Sequence, residues 1–286
     1  MRKLLFAVVP VFFGLSLYSQ SINTEFGKNR VQFHDDFNNW WQYETENFIT
    51  YWYGKARNIA QPVIQMAELD HDDVQKVMEH RMNDKIEIIV YVDISDVKQS
   101  NIGTEETFTN KTGETKIVGN KMFVYFDGNH EHLRQEIKKG IATVYFNNML
   151  FGSNLQEIIQ NAVLMNIPDW YKQGVISYAA SNWNYLIEDE YRDIWDRDVK
   201  FQDFEKISEQ FPKIAGHSFW FYIDQNYGKS AISNLLYLTK ISRGTDNSFE
   251  YILNTDLKSL KKEWSNYYKQ YFKSEKGIFE PKSKSD

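Results

Sequence analysis

The sequence predicts an α+β protein, and three observations carry that prediction. Segments rich in β-branched and aromatic residues are confined to residues 47–126, with a single helical stretch among them. From residue 130 onward, apolar residues recur at helical spacing almost without interruption. Segregation of this kind argues against a repeated βαβ unit. With no cysteine and only 5 prolines and 14 glycines in 286 residues, the chain must hold together through an apolar core, for which its length suffices.

The elements follow in order. Residues 47–52 (Asn-Phe-Ile-Thr-Tyr-Trp) have strand composition. Residues 56–78 place Ile59, Val63, Met66, Ala67, Val74, Val77 and Met78 close to helical spacing, with Pro62 near the start, where a helix tolerates it best. Residues 85–92 (Lys-Ile-Glu-Ile-Ile-Val-Tyr-Val) are the clearest strand, and their near-continuous apolar run predicts burial on both faces. Residues 95–114 are polar, contain Gly103 and Gly113, and are expected to be loop. Strands over 115–118 and 121–126 bracket Gly119-Asn120, a hairpin turn. Helices are expected over 130–149, 155–165 and 169–180, the last two parted by Pro168. More helices run to about residue 273, punctuated by Pro212, Gly228 and Gly244. The folded domain is placed at residues 43–272, between an arm over 21–42 and a Lys/Ser-rich disordered tail over 273–286.

The N-terminus sets the expected compartment. Arg2 and Lys3 precede an apolar run over residues 4–17, closed by Tyr18, Ser19 and Gln20. That is the layout of a cleaved secretory leader over residues 1–20; against the alternative of an N-terminal membrane anchor, the run is short for a bilayer span and lacks a stop-transfer flank. The remainder is expected to be exported and not transmembrane, in the periplasm or associated with the outer membrane or cell exterior. Acidic and basic residues are interspersed under a net charge of −6, which argues against a nucleic-acid partner. No nucleophile elbow, phosphate-binding glycine loop or dinucleotide fingerprint is present.

Two helical segments bear on chemistry: Leu133-Arg134-Gln135-Glu136-Ile137-Lys138-Lys139-Gly140, and Pro168-Asp169-Trp170-Tyr171-Lys172-Gln173-Gly174-Val175-Ile176-Ser177-Tyr178. Together they resemble the peptidase MA-like gluzincins, the thermolysin-type zinc peptidases. That family carries His-Glu-x-x-His on one helix and a Pro-x-Trp-Phe-x-Glu-Gly-x-Ala-x-Tyr pattern on the next. Pro168, Trp170, Tyr171, Gly174 and Tyr178 match the second pattern. Residues 215–223 with Asn226-Tyr227-Gly228 resemble the helix that follows, and residues 256–260 with Trp264 and Tyr267 resemble the closing segment. The resemblance covers roughly residues 43–272. It implies a zincin-like fold with an N-terminal mixed sheet and a mostly helical second half.

The same comparison implies a degenerate metal site. Histidines at i and i+4 share one helix face and one zinc ion, the glutamate between them activates water, and a second-helix glutamate completes the site. Here Gln135 and Lys139 stand at the histidine positions and Gln173 at the glutamate ligand, while only Glu136, the general-base position, is kept. A protonated lysine cannot coordinate zinc and glutamine is a poor ligand, so no zinc and no other cofactor are expected. The implied protein is an exported pseudo-metallopeptidase that binds a peptide or an envelope protein through the former cleft. Gln135, Lys139, Gln173, Trp170 and Tyr178 would line that cleft, and residues 121–126 would be free to pair with a partner strand. Three alternatives stand beside it. One is an active hydrolase using Glu136, or a shifted metal site built from His132, Glu136 and His217. Another is a closed cleft in which Gln135, Lys139 and Gln173 interlock. A third concerns smaller features: Glu188, Asp189, Glu190, Asp193, Asp196 and Asp198 as a calcium site or a solvated helix face, and Trp40, Trp41 and Trp183 as surfaces that stack on glycans or peptides, or as core or arm packing.

Overall fold

A computed structural model describes residues 39–99 and 116–279. The expected leader, most of the expected arm, residues 100–115 of the expected loop and residues 280–286 of the expected tail lie outside the described residues. Five strands, β1 (Trp40–Glu44), β2 (Phe48–Tyr53), β3 (Ile86–Tyr91), β4 (Lys116–Val118) and β5 (Lys121–Tyr125), form one mixed sheet in the order β1-β2-β3-β5-β4. The centre, β2-β3-β5, is parallel, and both edges are antiparallel. The fold is α+β, as expected.

α1 (Arg57–Met78) bridges the parallel pair β2 and β3. Its buried stripe, Ala60, Val63, Ala67, Val74, Val77 and Met78, packs with Phe48, Ile86, Ile88 and Val90 from the sheet. Alternation along β3 sends Ile89 and Tyr91 to the other face, where they cluster with Tyr53 and Phe123. Burial of β3 on both faces is therefore observed. α1 ends at Glu79 in a left-handed conformation (φ 46°); its carboxylate accepts hydrogen bonds from Ser230 (2.8 Å) and Ser233 (2.6 Å), which offset the strain.

Helices follow as α3 (His130–Phe151), α4 (Leu155–Leu164), α5 (Asp169–Ser181), α6 (Tyr185–Arg197), a short 3₁₀ turn (Val199–Gln202), α7 (Phe204–Gln210), α8 (Pro212–Tyr227), α9 (Lys229–Ser242), α10 (Asp246–Leu253) and α11 (Leu257–Phe279). Pro212 opens α8 and Gly228 (φ 85°) ends it. α3 is central, lying against α1, α5, α9 and the β4–β5 end of the sheet.

Four expectations need correction. Residues 40–42, placed in the arm, belong to β1, whose Trp41 pairs with Trp52 of β2. A short helix α2 (Ile94–Gln99) occupies the start of the expected loop, because Asp93 Oδ1 accepts from the Ser95 and Asp96 amides and starts a turn. α11 continues to Phe279, into the expected tail; Trp264, Tyr268 and Phe272 seat it on the core, and propagation past a seated turn costs little. Finally, β5 cannot accept a partner strand, since β3 and β4 already occupy its two sides.

Candidate functional site

The approach to α3 is built by Asp127-Gly128-Asn129. Gly128 adopts φ +97°, which a side chain rarely tolerates. Asn129 caps the helix by accepting from the amides of Glu131 (3.0 Å) and His132 (3.2 Å). The Asn129 amide and then His132 hold the Asp127 carboxyl below the usual range, with His132 Nδ1 2.6 Å from Asp127 Oδ2.

From this cap one stripe of α3 carries the expected site residues. Gln135 is exposed and donates to Glu131 Oε1 at 3.3 Å, along its own helix. Glu136 and Lys139 are half-buried on the same helix. Burial, and then the charges of Asp127 and Glu136, push the Tyr125 phenol up, so the end of β5 lies within the field of the Glu136 carboxylate. A neighbouring stripe is structural. Arg134 grips buried Asp70 of α1 with two 2.8 Å hydrogen bonds, and Lys138 lies 3.2 Å from Asp73.

Gln173 is exposed on α5, which packs against α3. Next to it Gly174 meets Gly216 of α8: a Cβ on Gly174 would stand 2.3 Å from the Gly216 carbonyl carbon, and one on Gly216 would stand 1.8 Å from the Trp170 oxygen. This is the physical reason for a glycine after Gln173. Trp170 and Tyr178, expected to line the cleft, are core residues instead, 6% and 2% exposed. The Trp170 ring lies 5.0 Å from Phe204 and 5.1 Å from Phe219, and Tyr178 donates to Asp224 at 2.5 Å. Helical spacing puts both on the side of α5 that faces α8, away from solvent.

The residues at the positions where the resemblance would put zinc ligands do not fit zinc: two amides and an ammonium offer no imidazole or carboxylate donor beside Glu136. Nor does the structure assemble the shifted site. His132 is engaged with Asp127. His217 is fully buried, its Nδ1 2.8 Å from Ser177 Oγ and its Nε2 3.0 Å from the Asn182 carbonyl. The carbonyl can only accept, so Nε2 carries the proton and Ser177 donates to Nδ1. Burial drives the His217 pKa down to about 3. The closed-cleft alternative is not seen either, since Gln135 bonds to Glu131 and both Gln135 and Gln173 face solvent. Among the described residues, no three His, Asp or Glu side chains group as a metal ion would require.

The acidic segment of α6 is a solvated, paired face. Glu188 meets Arg192 at 2.8 Å and Tyr271 at 3.1 Å, Glu190 meets Lys213 at 3.3 Å, and Asp198 meets Lys200 at 3.2 Å. Trp183 stacks on Phe221 at 4.5 Å, which is packing. Trp40 packs on Tyr53 at 5.1 Å.

Trp41 differs. It helps line a groove of about 790 Å³ between β1–β2 and α1, with Tyr43 and Trp52 on the sheet side and Arg57, Gln61 and Gln65 on the helix side. Sequence reasoning singled out Trp41 as a stacking residue but missed the groove, because it left Trp41 in the arm and so apart from α1. Two signals were available: the alternation of Trp41 and Tyr43, and the four-residue spacing of Arg57, Gln61 and Gln65.

No known protein family and no curated protein matches the chain in sequence. Among the described residues, no helix is long and apolar enough to cross a membrane.

Proposed function

We propose that this chain is an exported, non-catalytic pseudo-metallopeptidase that serves the bacterial cell envelope as a binding or scaffolding module for a peptide or protein. One observation carries the reading. α3 and α5 pack side by side, yet the positions that the gluzincin resemblance assigns to zinc are Gln135, Lys139 and Gln173, with Glu136 alone retained. A general-base carboxylate with no metal-bound water beside it lacks the nucleophile that the family reaction uses. What persists is an exposed amide on each of two packed helices, with a half-buried carboxylate and ammonium on α3, groups that suit hydrogen bonding to a polar partner. Cleavage of the leader and export would place that stripe outside the cytoplasm.

The purified chain is expected to leave casein and a mixed peptide library uncut, with or without added zinc, and Glu136→Gln is expected to change nothing. Peptide hydrolysis that disappears in Glu136→Gln would overturn this reading in favour of an active hydrolase.

A further inference from the structure

We propose that the groove between β1–β2 and α1 is a binding site for a short, uncharged glycan. It goes beyond the reading above and is independent of it. β1 is the edge of the sheet opposite β4, whereas α3 lies at the β4–β5 end.

The sheet side supplies an aromatic platform. Trp41 stands opposite Trp52 in the β1–β2 ladder, and Tyr43 stands two residues along, on the same face. Trp41 is 61% and Tyr43 56% exposed. Leaving rings of this size in water forgoes the stabilisation that burial would bring, so their solvent placement beside a cavity points to a ligand.

The helix side supplies the polar groups. Arg57, Gln61 and Gln65 recur every four residues, a row with steps of about 6 Å along α1. No side chain of the three has a hydrogen-bond or ion-pair partner among the described residues, and each residue is exposed. The volume, about 790 Å³, falls within the range of small-ligand sites, roughly 300–1,000 Å³.

The chemistry selects among ligands. A pyranose presents C–H faces that lie flat on aromatic rings and hydroxyls that both donate and accept. Glutamine amides do both as well. An apolar ligand would desolvate Gln61 and Gln65 without replacing their hydrogen bonds to water. An anion would find, among the described lining residues, the Arg57 cation but also the Glu68 carboxylate at the groove's end. Glu68 is tied to Asn47 by bonds of 3.2 Å and 2.8 Å and so cannot swing away. A cation would find that carboxylate already committed. A neutral, many-hydroxyl ligand meets none of these penalties.

The test titrates the purified chain with cello-, malto-, xylo- and N-acetylated chito-oligosaccharides, read by calorimetry and by tryptophan fluorescence. Saturable binding of at least one series is expected. Trp41→Ala, and Gln61→Ala with Gln65→Ala, should each weaken it roughly tenfold or more, while Tyr251→Ala, at an exposed ring on α10 away from the groove, leaves it unchanged. All three groove positions are exposed, so thermal melts should confirm intact folding. The proposal is overturned if no sugar binds saturably, if binding survives both sets of substitutions, or if a peptide displaces sugar from these residues with higher affinity. Peptide hydrolysis is read at a different site, so the two proposals stand or fall separately.

Discussion

At Gly174 and Gly216, α5 and α8 meet backbone to backbone, and no side chain can be inserted there without moving a helix. Gly216→Ala would set a Cβ 1.8 Å from the Trp170 oxygen, so the helices must part and the aromatic cluster around Trp170 must open. A loss of about 2–4 kcal/mol is expected, read from the denaturant midpoint, whereas Gly244→Ala, with open space around the new Cβ, should change it by less than about 0.5 kcal/mol. Gly174 was visible in the sequence as part of a motif, but its reason was not, because the partner glycine lies on another helix. His217 shows the same limit. Its neighbours Ser177 and Asn182 are 40 and 35 residues away, and no local pattern announces a buried neutral imidazole. Its pKa falls from 6.5 to about 3 on folding, so between those values the unfolded chain binds the extra proton. Stability from this group is complete above pH 6.5 and is lost as pH falls below it. Between pH 7 and 4.5 the linked loss is about 2–3 kcal/mol. Paired denaturation curves of the native chain and His217→Gln test this: the variant should lose that much less over the same interval, and parallel pH profiles would refute the assignment.

The elements legible in the sequence are those whose periodicity is set by their own core face. α1, α3, α5 and β3 each bury a regular stripe, and each was placed to within two residues. β1 was not, because all five of its residues are exposed and its strand character comes from pairing with β2 rather than from alternating burial. α2 is six residues long, below the length at which helical spacing can be read. The end of α11 was hidden by its Lys/Ser-rich composition. Contacts between elements were less legible still. Arg134 and Lys138 looked like surface charge, yet Arg134 closes on Asp70, which is 1% exposed, across α1 and α3. Arg134→Ala strands that carboxylate with only Lys138 at 3.7 Å. About 1–3 kcal/mol of stability should be lost, at the lower part of the buried-pair range because Arg134 itself is half-exposed. Adding Asp70→Asn to Arg134→Ala should recover part of the loss, and a double-mutant cycle in which the two losses simply add would show that the pair does not couple the helices.

For the whole molecule, the decisive arrangement is a parallel-centred sheet with α1 and α3 on one face and α5 wedged between α3 and α8. The order of strands and helices followed from the sequence. So did the β4–β5 hairpin, from its Gly119-Asn120 turn, but the parallel pairing of β5 with β3 did not, because neighbours across the sheet depend on contacts that no single segment encodes. Whether this architecture holds α3 and α5 in the geometry of a zinc peptidase can be asked directly by restoring the donors. Gln135→His and Lys139→His place two imidazoles at i and i+4 on one face of α3, and Gln173→Glu adds a carboxylate from α5. Gln135, Gln173 and Lys139 are exposed or half-buried, so the triple variant should fold as the native chain does. If the helices sit as the resemblance implies, it should take up about one zinc per chain by elemental analysis. At a free zinc concentration of about 100 times Kd, it should gain about 2.7 kcal/mol, and a chelator should remove that gain. The native chain should show no zinc-dependent shift at the same concentration. Variants carrying only one of the three changes should bind far more weakly, because a single added donor leaves the ion with too few ligands. A triple variant that melts like the native chain yet takes up no zinc would mean that α3 and α5 are not held in a zincin geometry, and the likeness would then be confined to the sequence motif of α5.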